Sequence, residues 1–294
     1  MSITIFLNHV FFDFQVFSND ANPCDYCDLE FYNGLCKADY QKEHIQQLYL
    51  LRYSYAYIFE YQEIYKNIFE KFNILKENRN SINILSIGAG SCLDYYAILD
   101  IFEKNNNYYN LKINYKSIDP IDWLYKPEID RHFYNEDINK LHTLKHLKTT
   151  LGEYLNTDTI NDNIIIFPKS ISEISQYELS LLPDKIMINK IYLVVSFRNQ
   201  YDRNKLNKLL EVFKEKNFFY DKNSIINYDK IDNSGIASKG LFDIYPDDII
   251  KYMNNLSCNC NKDKNICQGC NIDKDPILKK SYMNYIIIPL IRVG

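Results

Sequence analysis

Residues 82–94, which read INILSIGAGSCLD, decide how the rest of the chain is interpreted. An apolar run ends at Ile87, a turn with Gly88 and Gly90 follows, and a helical pattern begins directly afterwards. A strand that passes through a glycine turn into a helix places backbone N–H groups and the positive end of the helix beside a bound ligand. The stretch therefore predicts a nucleotide or nucleoside site.

The neighbouring residues narrow the kind of ligand. Gly88 allows a tight turn, and Gly90 lets a ligand approach the backbone closely. A dinucleotide fingerprint has a third glycine where this chain has Leu93, which disfavours NAD or FAD. Asp119 ends the next apolar run and is the candidate acceptor for ribose hydroxyls. Trp123, the only tryptophan, either stacks on a purine or caps the sheet.

Short apolar runs alternate with amphipathic stretches along the chain, which predicts strands alternating with helices. The predicted strands are residues 83–87, 112–118, 163–167, 191–197 and 282–293, and the predicted helices are 91–104 and 202–216. Residues 137–155 are predicted to be mainly helical, with a short strand near Thr149. This alternation predicts a mostly parallel sheet with helices on both faces.

The chain is expected to consist of one α/β body with an N-terminal extension and a cysteine-bearing segment near its C-terminal strand. Residues 1–80 form an N-terminal extension with a cysteine cluster and a long helix over 42–72, and residues 81–255 form the Rossmann-like body. Residues 256–294 carry four cysteines and the final strand. The long helix has tyrosines every four positions, at 49, 53, 57, 61 and 65, which marks one helical face. That face either packs on the body or forms a ring-lined wall of a substrate site.

Three segments in order carry a family resemblance. Residues 84–91 read ILSIGAGS, residues 117–119 read SID, and residues 163–170 read NIIIFPKS. With these segments the chain resembles the class I S-adenosylmethionine-dependent methyltransferases over about residues 80–220. The resemblance implies a Rossmann-like methyltransferase sheet, S-adenosylmethionine as the cofactor, and methyl transfer to an unidentified acceptor.

The resemblance also implies roles for particular residues. The cofactor-binding residues it implies are Ser86, Gly88, Ala89, Gly90, Asp119, Trp123 and Phe167, and the weak catalytic candidates are Lys169, Ser170 and Glu173. Ser86 stands where many members of the family carry an acid, and the segment after the fourth strand lacks the Asn/Asp-Pro-Pro-Tyr/Phe form of nucleic-acid amino methylases. Methylation of an exocyclic base nitrogen is therefore disfavoured. Methyl transfer depends mainly on positioning, so a general base is not required.

The cysteines cluster in a way that predicts metal binding. Cys258, Cys260, Cys267 and Cys270 supply four thiolates within a short polar segment, a pattern typical of a zinc knuckle. An iron–sulfur cluster uses the same ligands and remains the alternative.

A second set of possible metal ligands lies near the N-terminus. Cys24, Cys27 and Cys36 would be completed by His44, or the two cysteine clusters share one site. His142 and His146, four residues apart on a predicted helix, belong to a solvated face or form a metal pair. Cys92 is expected to replace a small residue in the glycine turn.

Charge and composition limit the remaining possibilities. The formal net charge of −4 argues against bulk attraction to nucleic acid, and no apolar segment is long enough to span a membrane. We therefore expect a cytoplasmic protein whose acceptor is a small molecule, RNA or protein. The alternative function is a non-catalytic, metal-containing module that binds S-adenosylmethionine or another nucleotide together with nucleic acid or a protein partner.

Overall fold

The computed structural model describes residues 3–20, 40–72, 74, 81–104, 108, 110–127, 141–229, 236–237, 247–255, 278, 280–281 and 283–293. The helices are α1 (Ile3–Asp20), α2 (Glu43–Lys71), α3 (Leu93–Lys104), α4 (Leu151–Thr157), α5 (Gln176–Lys185), α6 (Gln200–Glu215) and α7 (Asp247–Asn255). The strands are β1 (Ser81–Ile87), β2 (Lys112–Asp119), β3 (His142–Lys148), β4 (Ile164–Pro168), β5 (Lys190–Ser196), β6 (Phe218–Phe219), β7 (Ile226–Asp229), β8 (Ile236–Ala237), β9 (Lys280–Ser281) and β10 (Asn284–Arg292). No described helix combines the length and the hydropathy needed to cross a membrane.

Eight of these strands form one sheet in the order β3-β2-β1-β4-β5-β10-β6, with β7 also pairing with β10. Strands β1 to β5 are mutually parallel, and β10 runs antiparallel to β5, β6 and β7. The order reverses between β1 and β4, which creates a switch point where ligands bind in open α/β sheets. The predicted Rossmann-like, mostly parallel sheet is confirmed.

Two hydrophobic clusters cover the two faces of the sheet. One combines α1, α2 and α3 with residues such as Ile82 and Ile84 of β1, and the other combines α4, α5 and α6 with Leu85 and Ile87 of the same strand. Successive side chains of a strand point to opposite faces, so β1 contributes to both clusters. The two long N-terminal helices are thus part of the main core.

Local sequence explains where the helices on the second face begin. Helices α4, α5 and α6 each start with a capping box, formed by Thr150 with Glu153, Ser175 with Glu178, and Asn199 with Asp202. In each box the side chain of the first residue accepts a hydrogen bond from a backbone N–H of the first turn, and the carboxylate of the acid accepts one from the backbone N–H of the first residue. Each of these helices therefore begins after a short connection from the preceding strand: α4 follows β3, α5 follows β4 and α6 follows β5.

Most predicted elements agree with the structure to within a few residues, but one assignment is wrong. Residues 142–148 of the segment predicted to be mainly helical with a short strand near Thr149 form β3, an edge strand with a largely polar sequence, HTLKHLK, so the strand is present but longer than predicted. Its exposed edge accepts polar side chains, so the segment lacks the apolar alternation that predicts a strand. Helix α5, which contains Pro183, was not predicted.

Candidate active site

A cavity lies at the carboxyl ends of the five parallel strands and has about 1080 Å³ of empty space, including its open mouth. Segments that follow β1, β2, β3, β4 and β5 all contribute to its lining, and helix α2 supplies a further wall. The lining residues are Tyr40, Tyr49, Tyr57, Tyr61, Ile87, Gly88, Ala89, Gly90, Ser91, Leu93, Ile118, Asp119, Pro120, Ile121, Trp123, Thr149, Thr150, Leu151, Pro168, Lys169, Ser170, Glu173, Ile174, Glu178 and Arg198.

The glycine turn forms the centre of this cavity, and each glycine has its own reason to be there. Both adopt positive φ, +65° at Gly88 and +56° at Gly90, a region that disfavours other residues. A Cβ atom at Gly88 would lie 2.5 Å from the Cβ of Ser170, whereas one at Gly90 would lie 3.4 Å from the ring of Trp123. Gly88 is therefore required by the packing of the chain itself.

Asp119 joins the glycine turn to the end of β2. Its Oδ2 accepts a hydrogen bond from the Gly90 N–H at 2.8 Å, and its Oδ1 accepts one from the Ile121 N–H at 2.9 Å. Burial raises the pKa of the Asp119 carboxyl, while these two backbone hydrogen bonds oppose the rise. The carboxylate lines the cavity and has lone pairs left for further donors.

Helix α2 lies across the cavity and is held to the end of β2 by Gln46. The Gln46 amide donates to the Asp122 carbonyl at 3.2 Å and accepts from the Leu124 N–H at 2.9 Å. Next to this attachment the ring of Tyr49 lies 5.5 Å from that of Trp123, between centroids. The part of the cavity next to the end of β2 thus has an aromatic wall.

The five regularly spaced tyrosines of α2 do not all lie at the cavity. Tyr49, Tyr57 and Tyr61 line the cavity, Tyr53 stacks on Tyr57 with centroids 5.4 Å apart, and Tyr65 is fully buried. The face both packs on the body and forms a ring-lined wall, so the two predicted alternatives are combined.

A buried ion pair connects α2 to the residue that follows β4. The Lys169 ammonium donates to both carboxylate oxygens of Glu60, at 2.8 and 3.0 Å, and to the Phe197 carbonyl at 2.8 Å. The Ser196 hydroxyl also donates to Glu60. Burial raises the pKa of Glu60, and the charge of Lys169 opposes that rise. The Lys169 ammonium lies 5.6 Å from the centroid of Tyr57.

A second ion pair lies at the outer part of the cavity. Arg198, two residues after β5, donates from Nη1 to the Glu173 carboxylate at 2.6 Å and from Nη2 to the Ser172 hydroxyl at 2.5 Å. The Glu173 side chain is 65% exposed and that of Arg198 is 23% exposed. This pair is accessible to solvent, whereas the Lys169–Glu60 pair is not.

The predicted site residues separate into those that reach the cavity and those that do not. Gly88, Ala89, Gly90, Asp119, Trp123, Lys169, Ser170 and Glu173 line it. Ser86 and Phe167 are fully buried and are not part of the lining. Strand alternation turns Ser86 toward α2 and α3, and Phe167 belongs to the cluster on the other face.

An acid is nevertheless present on the α2 side of the glycine turn. Asp94, in the first turn of α3, accepts hydrogen bonds from the hydroxyls of Tyr115 at 2.8 Å and Tyr65 at 3.4 Å. Burial raises its pKa to about 6, and the hydrogen bond from Tyr115 opposes the rise. Asp94 lies behind the cavity wall.

The histidine pair lies on strand β3, which corrects its predicted place on a helix. His142 is buried with Nδ1 2.8 Å from the Tyr95 hydroxyl, and His146 has Nδ1 2.7 Å from the Ser117 hydroxyl. The two rings are therefore engaged in the packing beneath α3, in place of the predicted solvated face. Cys92 is fully buried, and burial together with Asp94 raises the pKa of its thiol to about 12, which disfavours a reactive role.

The seven remaining cysteines, Cys24, Cys27, Cys36, Cys258, Cys260, Cys267 and Cys270, lie outside the described residues. His44 is described and lies in the first turn of α2. Within the part of the chain that the structure describes, no three His, Cys, Asp or Glu side chains are grouped so that they could hold a metal ion.

Sequence reasoning missed Arg198 and Glu178, which line the cavity, and Glu60, the buried partner of Lys169 behind the lining. Glu60 carried a usable signal, because it is an acid among the buried aromatic and aliphatic residues of a long helix. Arg198 follows an apolar strand directly, at the carboxyl end where parallel sheets bind ligands. Glu178 stands three residues after Ser175, which is the spacing of a capping box, and this pattern predicts the start of a helix but no binding site.

No family model matches the sequence, and no curated protein was found to match it. Among solved structures, the chain is similar to MNMC2 from Aquifex aeolicus, with 18% identity over 54% of this chain and a TM-score of 0.36. The matched part is 53% of the Aquifex chain, so the similarity spans about half of that protein.

Two further solved structures are similar to the chain. One is the geranyl diphosphate C-methyltransferase of Streptomyces coelicolor A3(2) in complex with Mg²⁺, geranyl diphosphate and S-adenosyl-L-homocysteine, with 10% identity, coverage of 73% of this chain and 74% of that one, and a TM-score of 0.35. The other is a SAM-dependent methyltransferase from Archaeoglobus fulgidus, with 14% identity, coverage of 78% and 94%, and a TM-score of 0.35. Both are methyltransferases by name. At these TM-scores the function must be inferred from the residues of this chain.

Proposed function

We propose that the chain binds S-adenosylmethionine in this cavity and transfers its methyl group to an acceptor. The observation that carries the proposal is the hydrogen bond between Asp119 and the Gly90 N–H at the switch point of the sheet. It joins a carboxylate suited to ribose hydroxyls with a turn whose backbone a ligand can approach closely.

The lining residues fit the parts of this cofactor. Asp119 would accept hydrogen bonds from the ribose, and the rings of Trp123 and Tyr49 would border the purine. Residues 88–91 would hold the methionine part, since all four belong to the lining of the cavity. The aromatic rings of Tyr57 and Tyr61 would stabilise a sulfonium charge that lies over their faces.

When bound, the cofactor would supply an activated methyl group on a positively charged sulfur. The chain then has to bind the cofactor and the acceptor, orient them toward each other and exclude water from the cavity. Helix α2 covers the cavity through its tyrosines, and the ends of β4 and β5 form the opposite boundary. An acceptor would have to enter beside Lys169 and Glu173, which places both residues next to the reaction.

Titration calorimetry with S-adenosylmethionine and S-adenosylhomocysteine tests the binding step. We expect both to bind, and Asp119→Asn to weaken binding about tenfold or more, because the amide loses an acceptor for the ribose. Asp122→Asn is the matched control, since Asp122 is exposed, pairs with Lys126 and is not part of the lining. Failure of both ligands to bind the metal-replete protein contradicts the proposal.

Turnover is tested by release of S-adenosylhomocysteine in the presence of small-molecule, RNA and peptide pools. Release with any pool supports catalysis and excludes a purely non-catalytic binding module. For the two cysteine segments we propose zinc as the bound metal, on the basis of the spacing of their thiolates alone.

A further inference from the structure

The end of the cavity formed by β4 and β5 presents cations. Among the described residues that line the cavity, the cationic side chains are Lys169 and Arg198, and both lie at this end. They are also neighbours, because the Lys169 ammonium donates to the carbonyl of Phe197, the residue before Arg198.

The carboxylate that balances Lys169 does not face the ligand. Glu60 is 1% exposed and is absent from the lining, whereas Lys169 belongs to it. Of the two charges in this pair, that of Lys169 is therefore the nearer one to a ligand in the cavity. Lys169 is itself 9% exposed, and its three N–H donors are taken by the two Glu60 oxygens and the Phe197 carbonyl, so a ligand oxygen binds the ammonium only by replacing one of these acceptors.

Lys169 is also held in an unusual backbone conformation. Its φ is +60°, a region that costs energy for any residue with a side chain. A buried ion pair contributes little net stability, because desolvation offsets the attraction between the charges. Strained residues and buried pairs persist mainly where function requires them.

Arg198 can exchange its partner. Its guanidinium pairs with Glu173, whose side chain is 65% exposed, and ion pairs with such exposed groups are weak. The planar guanidinium matches two oxygens of a carboxylate or an oxyanion with a neighbouring acceptor. A ligand anion that enters the cavity could therefore replace the Glu173 carboxylate.

The other end of the cavity has the opposite character. Asp119 lies at the end of β2, and Glu178 accepts a hydrogen bond from the Gly152 N–H in the first turn of α4 at 3.0 Å. Both carboxylates line the cavity on the side assigned to the nucleoside. The cavity is thus acidic at the ends of β2 and β3, whereas both cations of its lining lie near the ends of β4 and β5, Arg198 together with the exposed Glu173 carboxylate that pairs with it.

Resting on the methyl-transfer function proposed above, we propose that the acceptor is a small molecule that presents an ionised oxygen, as a phenolate, enolate or carboxylate, to Lys169 and Arg198. An oxyanion can replace the exposed Glu173 carboxylate on Arg198 close to the Lys169 ammonium, whereas a protonated amine can pair only with Glu173 and is repelled by both cations. The size of the enclosed site under α2 and the net charge of −4 favour a small acceptor over a nucleic acid.

The charges balance in the resulting step. A lone pair of the acceptor oxygen forms the O–CH₃ bond while the CH₃–S bond breaks and its electron pair stays on sulfur. The oxygen loses its negative charge, the sulfur loses its positive charge, and no proton is released. The proton of a phenol or enol leaves for solvent before this step, and the two cations favour that ionisation.

Three probes that share one ring test the preference for charge. Benzoate, benzamide and benzylamine are titrated into the protein saturated with S-adenosylhomocysteine, and binding is measured by ligand-observed NMR and calorimetry. We expect benzoate to bind about tenfold or more tightly than the neutral and cationic probes. Equal binding of all three, preference for benzylamine, or no binding of any probe overturns the inference.

Variants test whether the preference for benzoate depends on Lys169 and Arg198. Arg198→Met and the double variant Lys169→Met with Glu60→Gln should each remove most of the benzoate preference, and the double variant avoids leaving a buried charge unpaired. Glu173→Gln should strengthen benzoate binding, because it removes the competing carboxylate. Lys216→Met is the control, since Lys216 pairs with Asp184 on the surface, where the two side chains are 42% and 51% exposed.

The same experiment separates the two proposals. If S-adenosylhomocysteine does not bind, the proposed function fails and the acceptor assignment fails with it. If it binds and the probes show no preference for the anion, or if Arg198→Met and the double variant both keep the preference, only the acceptor assignment is overturned.

Discussion

Ser170 packs directly against Gly88, where the turn after β4 meets the turn after β1. An added Cβ at Gly88 would lie 2.5 Å from the Ser170 Cβ, and the Ser170 hydroxyl donates to the carbonyl of Ile87. The two turns that flank the switch point therefore pack as one unit, and a change in one must be accommodated by the other.

This contact gives the first prediction, on stability. Gly88→Ala should lower the free energy of unfolding by about 2–4 kcal/mol, because it combines strain at φ +65° with overlap on Ser170. Gly90→Ala, with strain but only an ordinary contact to Trp123, should cost about 1–2 kcal/mol. Urea denaturation measures both.

A double variant checks the cause. Gly88→Ala combined with Ser170→Gly should be less destabilised than the sum of the two single variants, since the overlap is then removed. Additive effects would mean that Ser170 is not what excludes a side chain at position 88.

The second prediction uses the only tryptophan as a reporter. Trp123 is buried, lines the cavity and lies beside Tyr40 and Tyr49. Binding of S-adenosylhomocysteine should change the tryptophan emission, and adenosine alone should produce most of that change. Homocysteine should leave the emission unaltered. Binding detected by calorimetry with no change in emission would place the nucleoside elsewhere.

The third prediction concerns pH. Burial raises the pKa of Asp94 to about 6, so the folded protein favours the protonated carboxyl more than the unfolded chain does. The stability from this group is present at low pH and lost as pH rises through about 6. Between about pH 4 and pH 8 the wild type should therefore lose about 2–3 kcal/mol relative to Asp94→Asn.

Urea denaturation of the two proteins across that pH range measures this difference. The exposed Asp158 serves as the control position, and Asp158→Asn should follow the wild type. Parallel stability curves for the wild type and Asp94→Asn would show that Asp94 does not titrate as its burial implies.

The fourth prediction concerns the buried ion pair. Lys169→Met leaves the Glu60 carboxylate buried without its cation and should lower the free energy of unfolding by about 3–5 kcal/mol. The double variant with Glu60→Gln should recover a large part of that loss. Lys216→Met, on the surface, should change stability by less than about 1 kcal/mol. If the double variant is no more stable than the single one, the pair is not the source of the effect.

The fifth prediction concerns metal. Elemental analysis of the purified protein should find about one or two zinc ions per chain, and Cys267→Ser should lower that number. A brown protein that absorbs visible light would indicate an iron–sulfur cluster. A metal-free protein that still folds would contradict both assignments.

The sequence predicts the centre of the candidate site well because its signals are local. The apolar run of β1, the glycine turn and Asp119 follow from composition and order along the chain, and all three meet at the cavity. The orientation of the Ser86 side chain could also be derived. Ser86 is two residues after Ile84, so both side chains point to the same face of β1, opposite to that of Leu85.

What the sequence does not reveal depends on contacts between distant segments. Glu60 and Lys169 are 109 residues apart, and neither shows its partner in its own neighbourhood. Strand β3 is anticipated only as a short strand near Thr149, because an edge strand needs few apolar side chains. The tyrosines of α2 give a helical period but no information on whether the face meets a core or a cavity.

The two attachments of α2, through Gln46 and through Glu60, define how small a working version of this protein can be. A fragment that starts at β1 would contain the whole glycine turn and Asp119, yet it would lack the aromatic wall and the counter-ion of Lys169. It would also expose the sheet face that α1 and α2 cover. The shortest chain worth expressing therefore begins before α1, because α2 and the sheet form one structural unit.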